Sequence, residues 1–410
     1  MATKTEEHTA RWWPIAATGA GVIALCYGFA RYAYGLFVPR FGETFGLTTV
    51  AVGVLGGLST AGYGLGLLLS PRTSARSPRG TVLLAGAAAT AGLALMAVAP
   101  DVVVFAAGIV IAGGSAGLVS PGVAQLIGET VGARARPRAQ TWANTGTGLG
   151  LAASAFTPLL AFGWPAIWAT FAVLGAAMTL VAWRTLPRTR PAEATTGPAR
   201  GVAPLMLNSV LIGATSAPYW TFSSSRLTEA GLGPVAATWC WFGIGVAGLL
   251  GGLAGPAAER FGLRAGNLAT WTLAAAGIAL LALPHPGLPG ALVSGALFGI
   301  TYLALTGLCI LWAARLFPTR PARGVTWSFA GLGAGQTAAS PLAGAAASAI
   351  GLGAVFGLTA LVALVAWSQL HPRLAPPEGL AHVRHGRPRG TYVPDAARGS
   401  RGAGRKASRR

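Results

Sequence analysis

The sequence predicts an all-α membrane protein of twelve transmembrane helices in two parallel six-helix repeats. Three observations predict it. Hydrophobic residues make up 53% and charged residues 10% of the 410 positions, with a mean hydropathy of +0.58. That is more apolar surface than a soluble chain of this length could hide. The chain also matches itself at an offset of 185 positions: Arg138, Thr141 and Trp142 fall on Arg323, Thr326 and Trp327. Gly146, Gly148 and Gly150 fall on Gly331, Gly333 and Gly335, and Tyr34 and Phe37 on Tyr219 and Phe222. Gly46-Leu47 falls on Gly231-Leu232, Pro71 and Arg79 on Pro256 and Arg264, and Phe171 on Phe356. Alanine and glycine matches carry little weight in such a chain, but the others share one constant offset. Finally, of 30 Lys and Arg, only Arg31, Arg40 and Arg226 fall outside the termini and the even-numbered connections.

The spans follow in order. In the first half they read 14–38, 48–70, 80–98, 103–128, 139–161 and 164–185, and in the second 204–224, 234–255, 265–283, 290–314, 324–346 and 350–370. Each, at about 19 to 25 residues, is long enough at 1.5 Å per residue to cross a hydrocarbon core of about 30 Å. Clusters such as Arg72/Arg76/Arg79, Arg134/Arg136/Arg138, Arg184/Arg188/Arg190 and Arg315/Arg320/Arg323 close the even-numbered spans. Gly and Pro recur inside the spans, which suits membrane helices packing through small residues. Gly146-x-Gly148-x-Gly150 lies within an apolar span with no βαβ context, so it predicts close helix packing rather than a nucleotide loop.

The arginine asymmetry places both termini in the cytoplasm by the positive-inside rule, in a plasma or bacterial inner membrane. The expected organisation is a cytoplasmic N-terminus (1–13), a six-helix bundle (14–186), a cytoplasmic linker (187–203), a second bundle (204–370) and a basic disordered cytoplasmic tail (371–410). The net charge of +20 is then mostly a topology signal, and no nucleic-acid partner is expected, since no recognition fold accompanies the charge. The expected partners are the lipid bilayer and a small-molecule substrate, with protons or a counter-substrate open as coupling partners. No cofactor or metal is expected: Cys26, Cys240 and Cys309 lie far apart inside spans and form neither a disulfide framework nor a metal cluster. No small-x-small cleavage site follows a short apolar core, so the first span is expected to be retained.

The connection after the eighth span reads Gly255-Pro-Ala-Ala-Glu259-Arg260-Phe-Gly262-Leu-Arg264. It is similar to the cytoplasmic loop motif of the major facilitator superfamily: a glycine, an acid-arginine pair, a glycine and a closing basic residue. With the six-plus-six repeat, the chain resembles that superfamily over roughly residues 12–370. The resemblance implies a gating role for Gly255, Glu259, Arg260, Gly262 and Arg264, the carboxylate facing a helix N-terminus while the arginines hold neighbouring helix ends. The first-half loop, Ser70 to Arg79, keeps its arginines but has no acid. The stretch from Tyr27 to Pro39 resembles a little-characterised branch of bacterial permeases with an Arg-aromatic pair there. Drug-efflux antiporters of the superfamily carry a Gly-Pro signature in the fifth span; this span lacks it.

Candidate binding residues come from what is polar at depth. Arg31 is the sole basic residue well inside a span, and an intramembrane charge is a functional hypothesis by default. Tyr27 (i−4) and Tyr34 (i+3) are expected on its face, and a guanidinium there suits a carboxylate or phosphate. Two other readings stay open: Arg31 pairs with a gate residue such as Glu43, or snorkels to the outer interface. Tyr219 and Trp220 of the seventh span, Asn144 of the fifth, Tyr302 of the tenth and Gln336 of the eleventh complete the candidates; for the amides and Tyr302, helix–helix hydrogen bonding is the competing role. None of the ten Asp and Glu is central in a span; Glu129, at the inner end of the fourth, reads as a solvated helix end. Proton coupling through a buried acid therefore has little support.

The expected function is a secondary active or facilitative transporter of a small solute by alternating access, with a small organic or inorganic anion favoured. Efflux of drug-like amphipathic compounds is the alternative within that class. A sensor or structural membrane protein is the alternative outside it. No enzyme is expected, because no H-E-x-x-H pair, no G-x-S-x-G elbow and no cluster of acids or histidines is expected within the spans.

Overall fold

The computed structural model describes residues 12–189, 202–317 and 321–370. The N-terminus up to 11, most of the expected linker, and the tail 371–410 lie outside the described residues. Twelve helical rods form among those described: α1 (Trp12–Phe45), α2 (Thr49–Arg76), α3 (Pro78–Ala97), α4 (Val102–Thr130), α5 (Arg136–Ala155), α6 (Trp164–Thr185), α7 (Ala203–Glu229), α8 (Pro234–Phe261), α9 (Leu263–Ala282), α10 (Gly287–Leu316), α11 (Pro321–Ile350) and α12 (Leu352–Leu370). The chain is a multi-pass membrane protein, all-helical among the described residues.

The start signals are local. Thr48 Oγ1 accepts from the Ala51 N–H at the head of α2, and Ser77 Oγ from the Gly80 N–H at the head of α3, with Pro78 in the first turn. Asp101 Oδ1 accepts from the Val103 and Val104 N–H groups, both at 2.9 Å, at the head of α4. Each satisfies donors that a helix N-terminus leaves orphaned. The stops of α1 and α7 share one device. Gly46 (φ 61°) and Gly231 (φ 77°) adopt left-handed backbone, and the next residue's N–H reaches back five positions, Leu47 to Gly42 O and Leu232 to Leu227 O. Only glycine takes that conformation freely.

The repeat extends to the helix ends. Displaced by 185 positions, Thr49–Arg76 becomes Pro234–Phe261 and Pro78–Ala97 becomes Leu263–Ala282, residue for residue. The first residues of α4 and α5 land on the first residues of α10 and α11.

Glycine governs how the rods approach. A Cβ on Gly146 or Gly150 of α5 would lie 2.1 and 2.4 Å from backbone oxygens of α1, at Ala20 and Ala24. Gly148, two residues between, faces α8 instead, 2.7 Å from Gly245 O. In the second copy Gly331 and Gly335 face α7 and Gly333 faces Tyr63 of α2. The alternating glycines therefore serve the helix's own bundle on one side and the opposite bundle on the other.

Eight rods, α1–α4, α6 and α8–α10, are long and apolar enough to cross a membrane. Helices α5, α7 and α11 are more polar, and the second-half pair spends that polarity on helix–helix hydrogen bonds. Trp271 Nε1 donates to Asn208 Oδ1 (3.1 Å), Ser209 Oγ meets Ser328 Oγ (2.6 Å) and Thr221 Oγ1 meets Ser340 Oγ (2.9 Å). Large apolar side chains such as Leu65, Leu68, Val103, Val173, Leu361 and Val365 face outward, as lipid contact requires.

The two halves meet along two repeat-related seams and where α1 packs on α7, with Gly35 against the Trp220 carbonyl. Helices α2 and α11 touch from Thr49 and Gly344 through Gly53 and Ser340 to Thr60 and Thr337, whose hydroxyls lie 3.0 Å apart. The positions related to Thr60 and Thr337 are Gly245 and Ala152, and these touch in the α8–α5 seam. Both seams favour the arginine-poor end of the molecule. At the arginine-rich end, the last turns of α8 (Ala254–Phe261) pack on α9 and α10 of their own half.

Candidate functional site

Arg31 sits in an unusual stretch of backbone. Ala24–Tyr32 forms a π-helix within α1, and the Ala33 N–H bonds to Gly28 O, five residues back rather than four. In that geometry residues five apart align, so Tyr32 joins Tyr27 on one side, with ring centroids 6.0 Å apart. A Cβ on Gly28 would lie 2.3 Å from the Gly150 carbonyl carbon, so the widened turn presses directly on α5.

Arg31 is 5% exposed. Its guanidinium Nη2 donates to Gln336 Oε1 of α11 at 2.5 Å, and Gln336 Nε2 donates to Ser216 Oγ of α7 at 3.1 Å. Arginine offers no acceptor, which fixes the amide orientation: oxygen to Arg31, nitrogen to Ser216. Under the offset of 185, Ser216 is the counterpart of Arg31. One amide of the second half thus bridges two repeat-equivalent positions. Three tyrosine rings flank the cation, with Arg31 Cζ lying 4.1 Å from the Tyr63 centroid, 5.1 Å from Tyr32 and 5.8 Å from Tyr27. Such rings temper the cost of a buried cation but do not neutralise it.

No carboxylate reaches Arg31 among the described residues; the ion pair that forms there is Arg226–Glu229, at 3.9 Å. Glu43 is exposed. Arg31 neither pairs with it nor extends to the surface, so the gate-pair and snorkelling geometries are not the ones adopted. Gln125 Nε2 donates to Glu129 Oε1 at 2.9 Å on an exposed face, as a solvated helix end would.

Of the other expected residues, Trp220 and Tyr302 join the centre. The Trp220 indole stacks on the Tyr32 ring (centroids 4.1 Å apart, planes 20° apart), and the Tyr302 hydroxyl lies 3.2 Å from the Tyr32 hydroxyl. Tyr34 borders a cavity it shares with Arg31, its hydroxyl donating to Val52 O at 3.3 Å. Two residues lie elsewhere. Tyr219 is buried within the second half, stacked on Phe298 (3.8 Å) with its hydroxyl 2.9 Å from Ser294 Oγ. Asn144 is exposed on α5, its Oδ1 accepting from Gln140 Nε2 at 3.2 Å. Tyr32 and Tyr63 are central residues absent from the sequence expectation; for Tyr32 the reason is that a 3.6-residue period turns it away from Tyr27.

In the loop motif, Glu259 and Arg260 are exposed, Gly262 has φ 93° and Gly255 has open space around it. The Arg260 guanidinium lies 5.3 Å from the Phe261 ring, and Glu259 forms no ion pair among the described residues. Gly113-Gly-Ser115-Ala-Gly117 spells the G-x-S-x-G pattern of nucleophilic hydrolases. Ser115, however, is buried in mid-α4 and donates to Ala112 O at 2.6 Å. There is no strand-to-helix turn to expose it.

Two cavities meet at the Tyr32–Trp220 pair. One, with about 370 Å³ of empty space including its open mouth, is bordered by Arg31, Gln336, Ser59, Thr60, Thr221 and Ser340. The other, about 260 Å³ on the same measure, is bordered by Leu151, Ile244 and Leu303, the glycine backbone at 148, 245 and 299, and by Thr147 and Tyr302.

The family model described as Major Facilitator Superfamily matches residues 20–252. Among curated proteins none matches. Solved structures that resemble the chain include a bacterial homolog of the human lysosomal transporter Spinster, inward-facing and unoccupied, at 14% identity over 88% of this chain and 96% of that one (TM-score 0.70). They also include the human organic anion transporter MFSD10 (15% identity, 88% and 100% coverage, TM-score 0.65). A third is the nucleoside transporter NupG (12% identity, 88% and 100% coverage, TM-score 0.70). At these identities the likeness is one of fold.

Proposed function

Since the chain belongs to the Major Facilitator Superfamily and is a membrane transporter by family and fold, we propose that it carries a small anion by alternating access, bound at Arg31. One observation carries this reading: a buried guanidinium at the junction of the two halves, hydrogen-bonded across it to Gln336, with no carboxylate partner among the described residues. Holding a bare cation there is costly. A carboxylate or phosphate group would supply the counter-charge and accept paired hydrogen bonds from the guanidinium fork. Gln336, Tyr27, Trp220 and Tyr302 shape the site around it. Tyr34, Tyr219 and Asn144 are assigned supporting roles in the helix scaffold.

The bundles 14–186 and 204–370 are the moving bodies in this reading. The positive-inside rule assigns the arginine-rich face and both termini to the cytoplasm of a plasma or inner membrane. The seams at the arginine-poor end then close the site from outside, which supports an inward-facing state. The stretch Gly255–Arg264 acts as a cytoplasmic lock when the site turns outward. The acids among the described residues lie at helix ends, which favours coupling to a counter-substrate or to the substrate's own proton.

The test is counterflow in proteoliposomes, without a proton gradient, over labelled carboxylates, phosphates, sugars and lipophilic cations. A hydrogen bond to a charged group contributes about 1.5–3 kcal/mol, so Arg31→Gln should weaken anion affinity by roughly 10- to 150-fold. Arg31→Lys, which keeps the charge but loses the fork, should lose less. Equal transport by wild type and both variants would remove Arg31 from the site.

A further inference from the structure

We propose that the substrate is an amphipathic monoanion, its charged group in the Arg31 cavity and its apolar body in the neighbouring cavity, with the Tyr32–Trp220 pair parting between them. The inference rests on the Arg31 reading above and narrows its substrate class. Three observations carry it.

The first is the contrast between the two cavities. The Arg31 side offers a guanidinium, the Gln336 amide and four hydroxyls, at Ser59, Thr60, Thr221 and Ser340. The other side is walled by Leu151, Ile244 and Leu303, with Thr147 and Tyr302 as its hydroxyls, the latter engaged by Tyr32. An apolar body leaves water favourably there, whereas a second charge would be desolvated without a partner. The second observation is the charge inventory. No ionisable side chain other than Arg31 and the tyrosines borders either cavity among the described residues. One fixed positive charge matches one negative charge, and a dianion leaves one unpaired.

The third is the partition itself. Tyr32 belongs to α1 of the first half and Trp220 to α7 of the second, so this stack is a contact between the halves. Relative motion of the halves separates the rings and joins the cavities. The Trp220 indole N–H is buried and has no acceptor. A buried indole N–H usually finds one, and Trp220 also borders the Arg31 cavity, where an oxygen of the charged group supplies it.

The experiment is thermal unfolding of the purified full chain in detergent, titrated separately with acetate, hexanoate, succinate and hexan-1-ol. Affinities follow from the concentration dependence of the stabilisation. Hexanoate carries four more methylenes than acetate, and about fourfold per buried methylene makes it roughly 200-fold tighter. Succinate and hexan-1-ol should bind no more tightly than acetate. Leu151→Phe, which narrows the apolar cavity, should cost hexanoate about tenfold or more and leave acetate unchanged, the retained acetate response reporting an intact fold.

Acetate equal to hexanoate, succinate tightest of the four, or hexan-1-ol equal to hexanoate would each overturn the two-cavity assignment. The first two outcomes leave the anion reading standing. If none of the three anions stabilises the protein, and Arg31→Gln unfolds like wild type in their presence, the anion reading fails and this inference with it.

Discussion

Gly53 sits where α2 and α11 come together at the arginine-poor end. A methyl group there would be 2.6 Å from Ser340 O and 3.1 Å from Pro341 Cα, where ordinary contact begins at 3.4 Å. Both neighbours are backbone, so no flexible side chain can yield, and the helices must separate by about 0.8 Å at that level. Overpacking of this kind costs about 1–3 kcal/mol. The cost applies only to conformations in which the two helices touch. Gly53→Ala should therefore move the population by roughly 5- to 150-fold toward conformations in which they are apart. Spin labels on cysteines placed at Val50 and Ser348, both exposed near this seam, would read the change as a longer-distance component in a pulsed dipolar experiment. The three native cysteines are buried and escape labelling. Gly64→Ala is the matched control on the same helix, since a Cβ there meets nothing within 4 Å. If Gly53→Ala, Gly64→Ala and the wild-type glycines give the same distance distribution, the seam is not a moving contact and the reasoning is wrong.

Gly28→Ala places a methyl group 2.3 Å from the Gly150 carbonyl carbon, inside one bundle rather than between two. It should penalise every state alike by about 1–3 kcal/mol or more, lowering the unfolding temperature in detergent without the distance change expected of Gly53→Ala. Asn144→Ala should leave the half-saturation for transport within about twofold of wild type, because Asn144 is exposed and bonds only to Gln140. A larger loss in the same proteoliposome assay would bring Asn144 back into the site.

The architecture was legible because membrane helices must be long, apolar and flanked by charge, and because the repeat supplies each helix twice. Arg31 and Gln336 were legible for a related reason: a charge or an amide at mid-span is expensive enough to stand out. What stayed hidden depends on contacts between distant segments. Tyr32 lies one residue from Arg31, so an α-helical wheel turns it away; the π-helix brings it round beside Tyr27. Tyr63 is marked only by the common pair Ser59 and Thr60 one turn earlier, yet its ring is the nearest of the three to the guanidinium. Tyr219 and Asn144 look as eligible as Trp220 and Gln336 by depth alone. Only the direction each side chain takes separates the first two from the second.

The register between the copies, kept without an insertion from α2 through the starts of α10 and α11, makes it possible to subtract one half from the other. Part of the scaffold is shared: the capping glycines Gly46 and Gly231, the proline pair Pro71 and Pro256, and the small residues of the seams. Around the cavity the difference is nearly complete. Arg31 stands against Ser216, Tyr32 against Ala217 and Gln336 against Leu151. The bulkiest groups stand against the smallest: Trp220 against Gly35, Tyr63 against Gly248, Tyr302 against Gly117. An ancestor with two identical halves would have offered a ligand two equal faces and no preferred orientation. Here divergence has set one copy's ring against the other copy's glycine, giving the pore a handedness. For the amphipathic solute proposed above, those unequal faces would set a single orientation.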